Sequence, residues 1–363
     1  MKKFKELNKA TRNNTVTYII VALMFVFCIV YTETGMASNL FQGILVPICV
    51  NVILAVSLNL TVGILGELSL GHAGFMCVGA FVGSLFSVMT AASMDAALLR
   101  FPLALLLGGV AAGIVGILVG IPVLRLRGDY LAIVTLAFGE IIKNIVNNLY
   151  VVTDAGGLHV ALGVDAYNAM EIDAASSEVY INGAMGITGT PKDSTYIIGF
   201  VLIFITLIVV QNLVNSRTGR AIMAIRDNRI AAEATGINIT KYKLIAFALS
   251  AFFAGVAGAL YSHNLASLSA IKFDYNYSIL ILVFVVLGGI GSMRGSVIAA
   301  VILTALPELL RGLDSYRMLI YAIILIVMML VNNNEQLSYY KNKLFGGLSA
   351  QLSGRSRKQK EVS

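Results

Sequence analysis

The polar side chains inside long apolar runs are the first candidates for chemistry in this sequence. Glu140 lies near the middle of the apolar run 130–152, and Lys143 follows it by one helical turn. A charge inside a membrane span costs at least about 2.5 kcal/mol on insertion scales, so it requires a partner or water. Two interpretations stay open: a structural Glu140–Lys143 ion pair, or a Glu140 carboxylate that carries a proton.

Two glycine-rich stretches, 63–74 and 287–295, interrupt apolar runs. A helix broken at the first would free backbone N–H groups near Ser69 and His72, which could bind the carboxylate of an amino acid. Glu67 would repel that carboxylate, so we expect it to face an ammonium group or the cytoplasm. Interrupted helices indicate a substrate path, but glycines also allow close helix packing, and both interpretations stay open. The candidate path residues are Gly66, Ser69, Gly71, His72, Thr135, Glu140, Gly288 and Gly289.

The sequence predicts no catalytic chemistry. No Gly-Lys dipeptide occurs, so a nucleotide-binding P-loop is excluded. The three histidines are far apart, and the three cysteines, each inside an apolar run, give neither metal spacing nor a disulfide framework. We therefore predict no catalytic residue, no metal site and no cofactor.

The elements that must position these residues are apolar helices. The 363 residues are 58% hydrophobic and 12% charged, with a mean hydropathy of +0.85, whereas soluble domains carry about 25% charged residues. This composition predicts an all-α polytopic membrane protein with about 10 (8–10) spans, some of them short or broken. The apolar runs are 16–31, 40–62, 70–91, 99–124, 130–152, 196–214, 244–261, 277–290, 297–310 and 318–331.

The distribution of charge predicts which side of the membrane each segment faces. Basic residues cluster near both termini, at Arg125 and Arg127, and in the segment 216–243, while the loop 153–195 is acidic. Cytoplasmic loops are enriched in Lys and Arg, so we expect both termini in the cytoplasm and the loop 153–195 outside, where it would contact a partner or be an insertion. The first run could be a secretory segment cleaved near 35–37, but an uncleaved span is preferred.

These boundaries give a basic lead-in at 1–15, a transmembrane domain at 16–331 and a basic tail at 332–363. The net charge is +7, and the basic residues lie beside apolar runs, as the basic anchors of membrane proteins do. This placement predicts attraction to anionic lipid and not to nucleic acid.

The segment 216–243 is too polar to span a membrane. Alanines and isoleucines predict a helix over Arg220–Thr235, with Gly236 as its stop and Ile222, Ile225 and Ile230 on one weakly apolar face. The helix is either a solvated loop element or a docking element that inserts into a groove on a cytoplasmic partner.

The letters AAEATGIN within this segment resemble the coupling loop of ABC importer permeases. Three further stretches, beginning at Ser57, Leu124 and Val286, match in the same order, and together the four resemble the LivM type of branched-chain amino acid permease over about a third of the chain. The resemblance implies ATPase coupling through Gly219, Arg220, Arg226, Glu233 and Gly236.

The resemblance also implies partners and a location. They are a second, LivH-type permease subunit, two cytoplasmic ATPase subunits that hydrolyse the ATP, and an extracytoplasmic binding protein, in the bacterial inner membrane. The external stretch VTDAGGLHVALG departs from the pattern of these permeases, which leaves substrate contacts on that side open. Related systems import urea or short amides, so these substrates stay open beside branched-chain amino acids.

Two other classes remain. An ion-coupled secondary amino acid transporter, with Glu140 as its proton or sodium site, would also have broken helices and buried charges. A channel or membrane scaffold has no specific support in the sequence.

Overall fold

The computed structural model describes residues 9–34, 38–91, 97–126, 128–154, 157–169, 177–311 and 316–333. Most of them are helical. Arg127, residues 35–37, the first eight residues and the tail from 334 onward lie outside the described residues, so the predictions made for them have no structural counterpart. The helices are α1 (Lys9–Glu33), α2 (Asn39–Asn59), a π-helix (Leu60–Leu65), α3 (His72–Met89), α4 (Ala97–Val123), α5 (Asp129–Asn147), α6 (Val164–Asn168), α7 (Tyr196–Asn215), α8 (Arg217–Asp227), α9 (Arg229–Ala234), α10 (Ile239–Ser262), α11 (Tyr275–Gly288), α12 (Met293–Leu309) and α13 (Arg317–Asn333).

Seven helical stretches in the described part of the chain are long and apolar enough to cross a membrane. They lie in α1, α2 with the π-helix, α3, α4, α7, α10, and α11 with the short turn before it. The remaining long helices are not counted among these seven stretches. The helix α5 carries three charged residues, and α12 and α13 are shorter, with 17 residues each. The protein is therefore a multi-pass membrane protein, as its composition predicts.

Glycines bring the backbones of α3, α4 and α10 into direct contact. A Cβ atom on Gly108 of α4 would lie 2.6 Å from the carbonyl oxygen of Gly79 in α3, and one on Gly255 of α10 would lie 2.6 Å from that of Gly108. Lipid does not drive apolar helices together as water does, so close approach of small residues is what holds membrane helices against one another. These three helices form the centre of the larger compact unit.

Between α5 and α7 the chain forms a small sheet. Strands β1 (Leu149–Asp154), β2 (Gly157–Leu162) and β3 (Glu178–Asn182) pair antiparallel in the order β2-β1-β3. The predicted apolar run 130–152 is thus divided, because the helix ends at Asn147 and Tyr150, Val151 and Val152 enter a strand. Aromatic and β-branched residues favour strands, and this preference prevails once the helix has ended.

A second pairing joins this segment to the chain after α10. Strand β4 (Ile187–Thr188) pairs antiparallel with β5 (Ser267–Leu268). The segment predicted as a loop at 153–195 is therefore partly ordered by strands, one of which lies against a distant part of the chain.

A buried polar cluster fixes the ends of α3, α4 and α10 next to this sheet. Arg100 donates to Asp193 at 2.7 Å, and His263 Nε2 lies 2.7 Å from the Ser87 hydroxyl while Nδ1 donates to the Ala259 carbonyl at 2.7 Å. Burial lowers the pKa of His263, which keeps its ring neutral at pH 7.

The chain divides into two compact units, 1–305 and 306–363. The second contains the end of α12 and α13, and α13 exposes Leu319, Ile323, Ile326 and Leu330.

Candidate functional site

The first glycine-rich stretch lies between two helical stretches that are each long and apolar enough to cross a membrane. The α2 helix continues as the π-helix, which ends at Gly66 in a left-handed conformation with φ of 78°. The chain from Glu67 to Gly71 is not helical, and α3 begins at His72. π-Helical turns inside α-helices are frequent at functional sites. A role of this stretch in a substrate path stays a prediction.

The second glycine-rich stretch forms the turn between α11 and α12. Gly289 and Gly291 have φ values of 93° and 82°, which favour glycine. A Cβ atom on Gly288 would lie 2.5 Å from the backbone nitrogen of Ser296, so the two helices meet at their backbones.

The two interruptions, which are far apart in sequence, are in contact. A Cβ atom on Gly63 of the π-helix would lie 2.7 Å from Cα of Gly291. Asn59 joins them: its Oδ1 accepts from Gly291 N at 2.9 Å, and its Nδ2 donates to Ser296 Oγ at 3.0 Å. We call this contact of Asn59 and Gly63 with Gly291 and Ser296 the glycine junction.

The backbone N–H groups at the break before α3 are bound by side chains of the same chain. Leu70 N donates to Thr135 Oγ1 and Ala73 N to Ser278 Oγ, each at 3.0 Å. His72 Nε2 is hydrogen-bonded to Ser57 Oγ at 2.9 Å. Among the candidate path residues, Thr135 and His72 are thus part of the structure that holds the break, whereas the buried hydroxyl of Ser69 has no hydrogen bond to any described residue.

Gly71 and Gly74 allow α5 to approach this break. A Cβ atom on Gly71 would lie 3.0 Å from the carbonyl carbon of Thr135, and one on Gly74 would lie 2.8 Å from Cα of Gly139. This backbone contact brings the Thr135 hydroxyl within reach of Leu70.

Glu140 has partners on both carboxylate oxygens. Oε2 forms an ion pair with Lys143, and Oε1 accepts from Tyr275 N at 2.9 Å. The carboxylate therefore lies at the N-terminus of α11, where a negative charge is stabilised by the helix dipole. This geometry matches the structural interpretation of Glu140 and includes a contact that spacing along one helix does not reveal.

Two cations reach the chain at the end of the π-helix. Lys243, in the first turns of α10, forms a buried ion pair with Glu67, with 4% and 16% of the two side chains exposed. Arg226 of α8 donates from Nη1 to the Gly63 carbonyl at 2.9 Å and also binds Asp227. Its aliphatic part covers Gly66, where a Cβ atom would lie 2.5 Å from Arg226 Cγ.

The segment 216–243 is not one helix over Arg220–Thr235, and that prediction is wrong. Asn228 has an extended conformation that separates α8 from α9, and its side chain accepts from Ala231 N at 3.0 Å as the N-cap of α9. Asn is a favoured N-cap residue, so its side chain stabilises the start of α9, and the helix does not continue through position 228. Gly236, with φ of 83°, follows α9 as predicted.

The break also divides the expected apolar face. Ile222 and Ile225 are buried, but the side chain of Ile230 is 80% exposed. Ile225 packs with Ala232 and Ile239, which fixes α8 and α9 against the start of α10. Of the residues named for coupling, Gly219 is buried, and Arg220, Arg226, Glu233 and Gly236 are exposed. Arg226 differs from the other exposed residues because it also donates to the π-helix.

Sequence reasoning missed Asn59 and Ser296 at the junction. It included Gly63 and Gly291 only as members of the two glycine-rich stretches, and it placed Ile230 on one face with Ile222 and Ile225. The signal for Asn59 is an amide within a long apolar run, which requires a hydrogen-bonding partner in a membrane. No group of three His, Cys, Asp or Glu side chains in the described ranges could hold a metal ion.

Comparison with known proteins identifies the family of this chain. Residues 40–331 match the family described as "Branched-chain amino acid transport system / permease component". The chain belongs to this family. It is 34% identical over 281 residues to the high-affinity branched-chain amino acid transport system permease proteins LivM of Salmonella typhimurium and Escherichia coli.

Each of these two matches covers 76% of this chain and 64% of the relative, so the chain spans less than two thirds of the length of these relatives. Another relative in the wider group, the nucleoside ABC transporter permease protein NupC of Lactococcus lactis, is 25% identical over 64% of this chain and 71% of its own. No solved structure matches this member of the permease family.

Proposed function

We propose that the chain is the membrane-spanning permease subunit of an ABC importer for branched-chain amino acids. ATP would be hydrolysed by separate cytoplasmic subunits, and this chain would contribute the translocation path. The observation that carries the proposal is the pair α8–α9: its inner face is joined to the glycine junction through Arg226, and its outer face is open. Family membership and the similarity to LivM support the same class.

The proposed arrangement in the membrane has about ten crossings. The seven apolar stretches would be joined by α5, α12 and α13, with both termini and α8–α9 in the cytoplasm. The acidic sheet segment and the Arg100–Asp193 pair would then lie outside. Exposed apolar side chains such as Leu23, Leu98 and Leu118 would face lipid. The location that fits is the bacterial inner membrane.

The proposed partners are two ATPase subunits, a second, LivH-type permease and an extracytoplasmic binding protein. On the cytoplasmic side, α9 would dock in a groove of an ATPase. Ile230 is the apolar anchor of that surface, and Arg220, Glu233 and Gly236 are also exposed. An exposed isoleucine on a polar cytoplasmic loop is what a docking helix requires, because burial of one such side chain contributes about 1.5–3 kcal/mol.

Replacement of Ile230 by aspartate tests the docking surface. We expect I230D to weaken copurification of the ATPase subunits by about ten- to a hundredfold, since an apolar contact is lost. Leu126, an exposed apolar residue that follows α4 outside the candidate membrane spans, gives the matched control L126D. Equal copurification of I230D, L126D and the unmodified chain would contradict the docking proposal.

The class and the substrate are tested together in proteoliposomes that contain the complete complex. Uptake of leucine, isoleucine and valine should require ATP on the cytoplasmic side and the binding protein on the other. Uptake driven by an ion gradient through this chain alone would instead support a secondary transporter. Competition by urea, short amides and nucleosides separates the substrate alternatives, the last because NupC is a nucleoside permease by name.

A further inference from the structure

Arg226 lies at the point where the cytoplasmic helices meet the interrupted membrane helices. It belongs to α8, yet its Nη1 donates to the Gly63 carbonyl, 163 residues away along the chain. Gly63 belongs to the last turn of the π-helix, where backbone carbonyls have no N–H partner within the helix. A guanidinium group satisfies such a carbonyl and is favoured by the negative end of the helix dipole.

Gly63, whose carbonyl accepts from Arg226, also contacts Gly291. A movement of Gly63 toward Gly291 would displace the α11–α12 turn, because the two backbones are so close that a Cβ atom on Gly63 would lie 2.7 Å from Cα of Gly291. Asn59, one turn earlier, binds Gly291 N and Ser296 Oγ and extends the contact into α12. Packed backbones transmit displacement because they cannot be compressed.

The rest of the Arg226 side chain is held in a way that suits such transmission. Its aliphatic part covers Gly66, the left-handed residue that ends the π-helix, and Asp227 binds Nε at 3.1 Å and Nη2 at 3.0 Å. The guanidinium is thus oriented by a neighbour on its own helix. The hydrogen bond to Gly63 is a polar contact between α8 and the π-helix, and it is charge-assisted.

We infer that Arg226 is a positioning residue that transmits displacement of α8–α9 to the glycine junction. Its role is directed inward, to the helices that change the path, and not outward to an ATPase surface. The inference rests on the proposed function, since an ATPase must move α9 before anything is transmitted. The inference assigns two roles within one segment: Ile230 binds the ATPase subunit, and Arg226 transmits the movement of α8–α9 to the membrane helices.

The test compares ATP hydrolysis and substrate uptake in proteoliposomes that contain the full complex. Arg226→Met keeps the aliphatic part over Gly66 but removes the donor to Gly63. We expect R226M to retain ATPase subunits and ATP hydrolysis, while uptake per ATP falls at least about tenfold, the effect of losing one charge-assisted hydrogen bond. Arg226→Lys, which can still donate, should restore most of the ratio.

Arg217→Met is the matched control. Arg217 lies in the same helix, is exposed and loses the same charge, and it is not among the residues proposed for docking or coupling. R217M should leave uptake per ATP unchanged. If R226M and R217M give the same ratio as the unmodified complex, Arg226 has no positioning role.

A second readout remains available if R226M is poorly recovered. Ile290, 60% exposed in the α11–α12 turn, can be replaced by cysteine in a chain whose three native cysteines are buried. The rate at which I290C reacts with a membrane-impermeant maleimide should change when ATP binds, and R226Q, which keeps a shorter and uncharged donor, should reduce that change. An equal ATP-dependent change with and without R226Q overturns the inference.

Different results would overturn the proposed function and the inference about Arg226. An unmodified complex that does not couple ATP hydrolysis to uptake overturns the proposed function and, with it, the role of Arg226. An unmodified complex that couples normally, together with an R226M complex that couples equally well, overturns the inference alone.

Discussion

The buried ion pair between Glu67 and Lys243 predicts an unusual order of stabilities among its variants. Lys243 is the more deeply buried partner, with 4% of its side chain exposed against 16% for Glu67. We consider Glu67→Leu, Lys243→Met and the double variant. Each replacement removes one charge and keeps an apolar side chain of similar size.

The magnitudes follow from which charge is left without a partner. At an effective dielectric constant of about 20, two unit charges 4 Å apart attract each other by about 4 kcal/mol. In E67L the ammonium group of Lys243 is left buried and unpaired, so we expect a loss near the lower end of the usual range, about 3 kcal/mol. In K243M the Glu67 carboxylate can turn toward water, and a loss of about 1–2 kcal/mol is expected. The double variant has no unpaired charge, and it should be more stable than E67L alone.

The measurement is the free energy of unfolding of the detergent-solubilised chain by denaturant titration, arranged as a double-mutant cycle. We expect a favourable coupling energy between the two positions and a larger free energy of unfolding for the double variant than for E67L. If the two single losses simply add, so that the double variant is the least stable of the three, then the charges do not depend on each other and the reasoning is refuted.

The remaining predictions concern the glycine contacts, the junction, Glu140 and the start of α9. Gly255→Val should lower the melting temperature strongly, because its side chain would enter the backbones of Gly108 and Gly109, whereas Gly43→Ala, which meets no described atom within 4 Å, should be neutral or slightly stabilising, by up to about 1 kcal/mol. Asn59→Ala leaves Gly291 N and Ser296 Oγ without this partner, so a loss of about 1–3 kcal/mol per buried group is expected by denaturant titration. Glu140→Gln keeps an acceptor for Tyr275 N, so most ATP-driven uptake should remain; complete loss of uptake with normal stability would indicate a proton-carrying role. Asn228→Ala removes the N-cap of α9 and should cost about 1 kcal/mol, seen as faster amide hydrogen exchange in residues 229–234 than in 217–227.

The sequence predicts the helices far better than the contacts between them. The apolar run 196–214 corresponds to α7 at Tyr196–Asn215 within one residue, because a polar boundary marks each end. The contact of Gly63 with Gly291 could not be predicted, since glycine density shows that backbones approach and does not show which ones. Similarly, alanine and isoleucine content favours a single helix through 228, and the N-cap side chain of Asn228 overrides that local preference.

The interruptions in α2–α3 and α11–α12 resemble binding sites in sequence, yet their hydrogen bonds favour a mechanical role. A backbone N–H group freed by a helix break must find an acceptor in a membrane, and a substrate carboxylate is one solution. Here Leu70 N is bound by Thr135 and Ala73 N by Ser278 at the first interruption, and Tyr275 N, at the start of α11 and away from the α11–α12 turn, is bound by Glu140. A carboxylate at these three groups would have to displace a hydroxyl or another carboxylate, and at Tyr275 it would also meet the charge of Glu140. Breaks that are satisfied without a ligand can bend and reform without exposing polar groups to lipid. That property is the one needed by helices that must change their arrangement in every transport cycle, and it is why the junction of Asn59 and Gly63 with Gly291 and Ser296 is better placed to relay motion than to select a substrate.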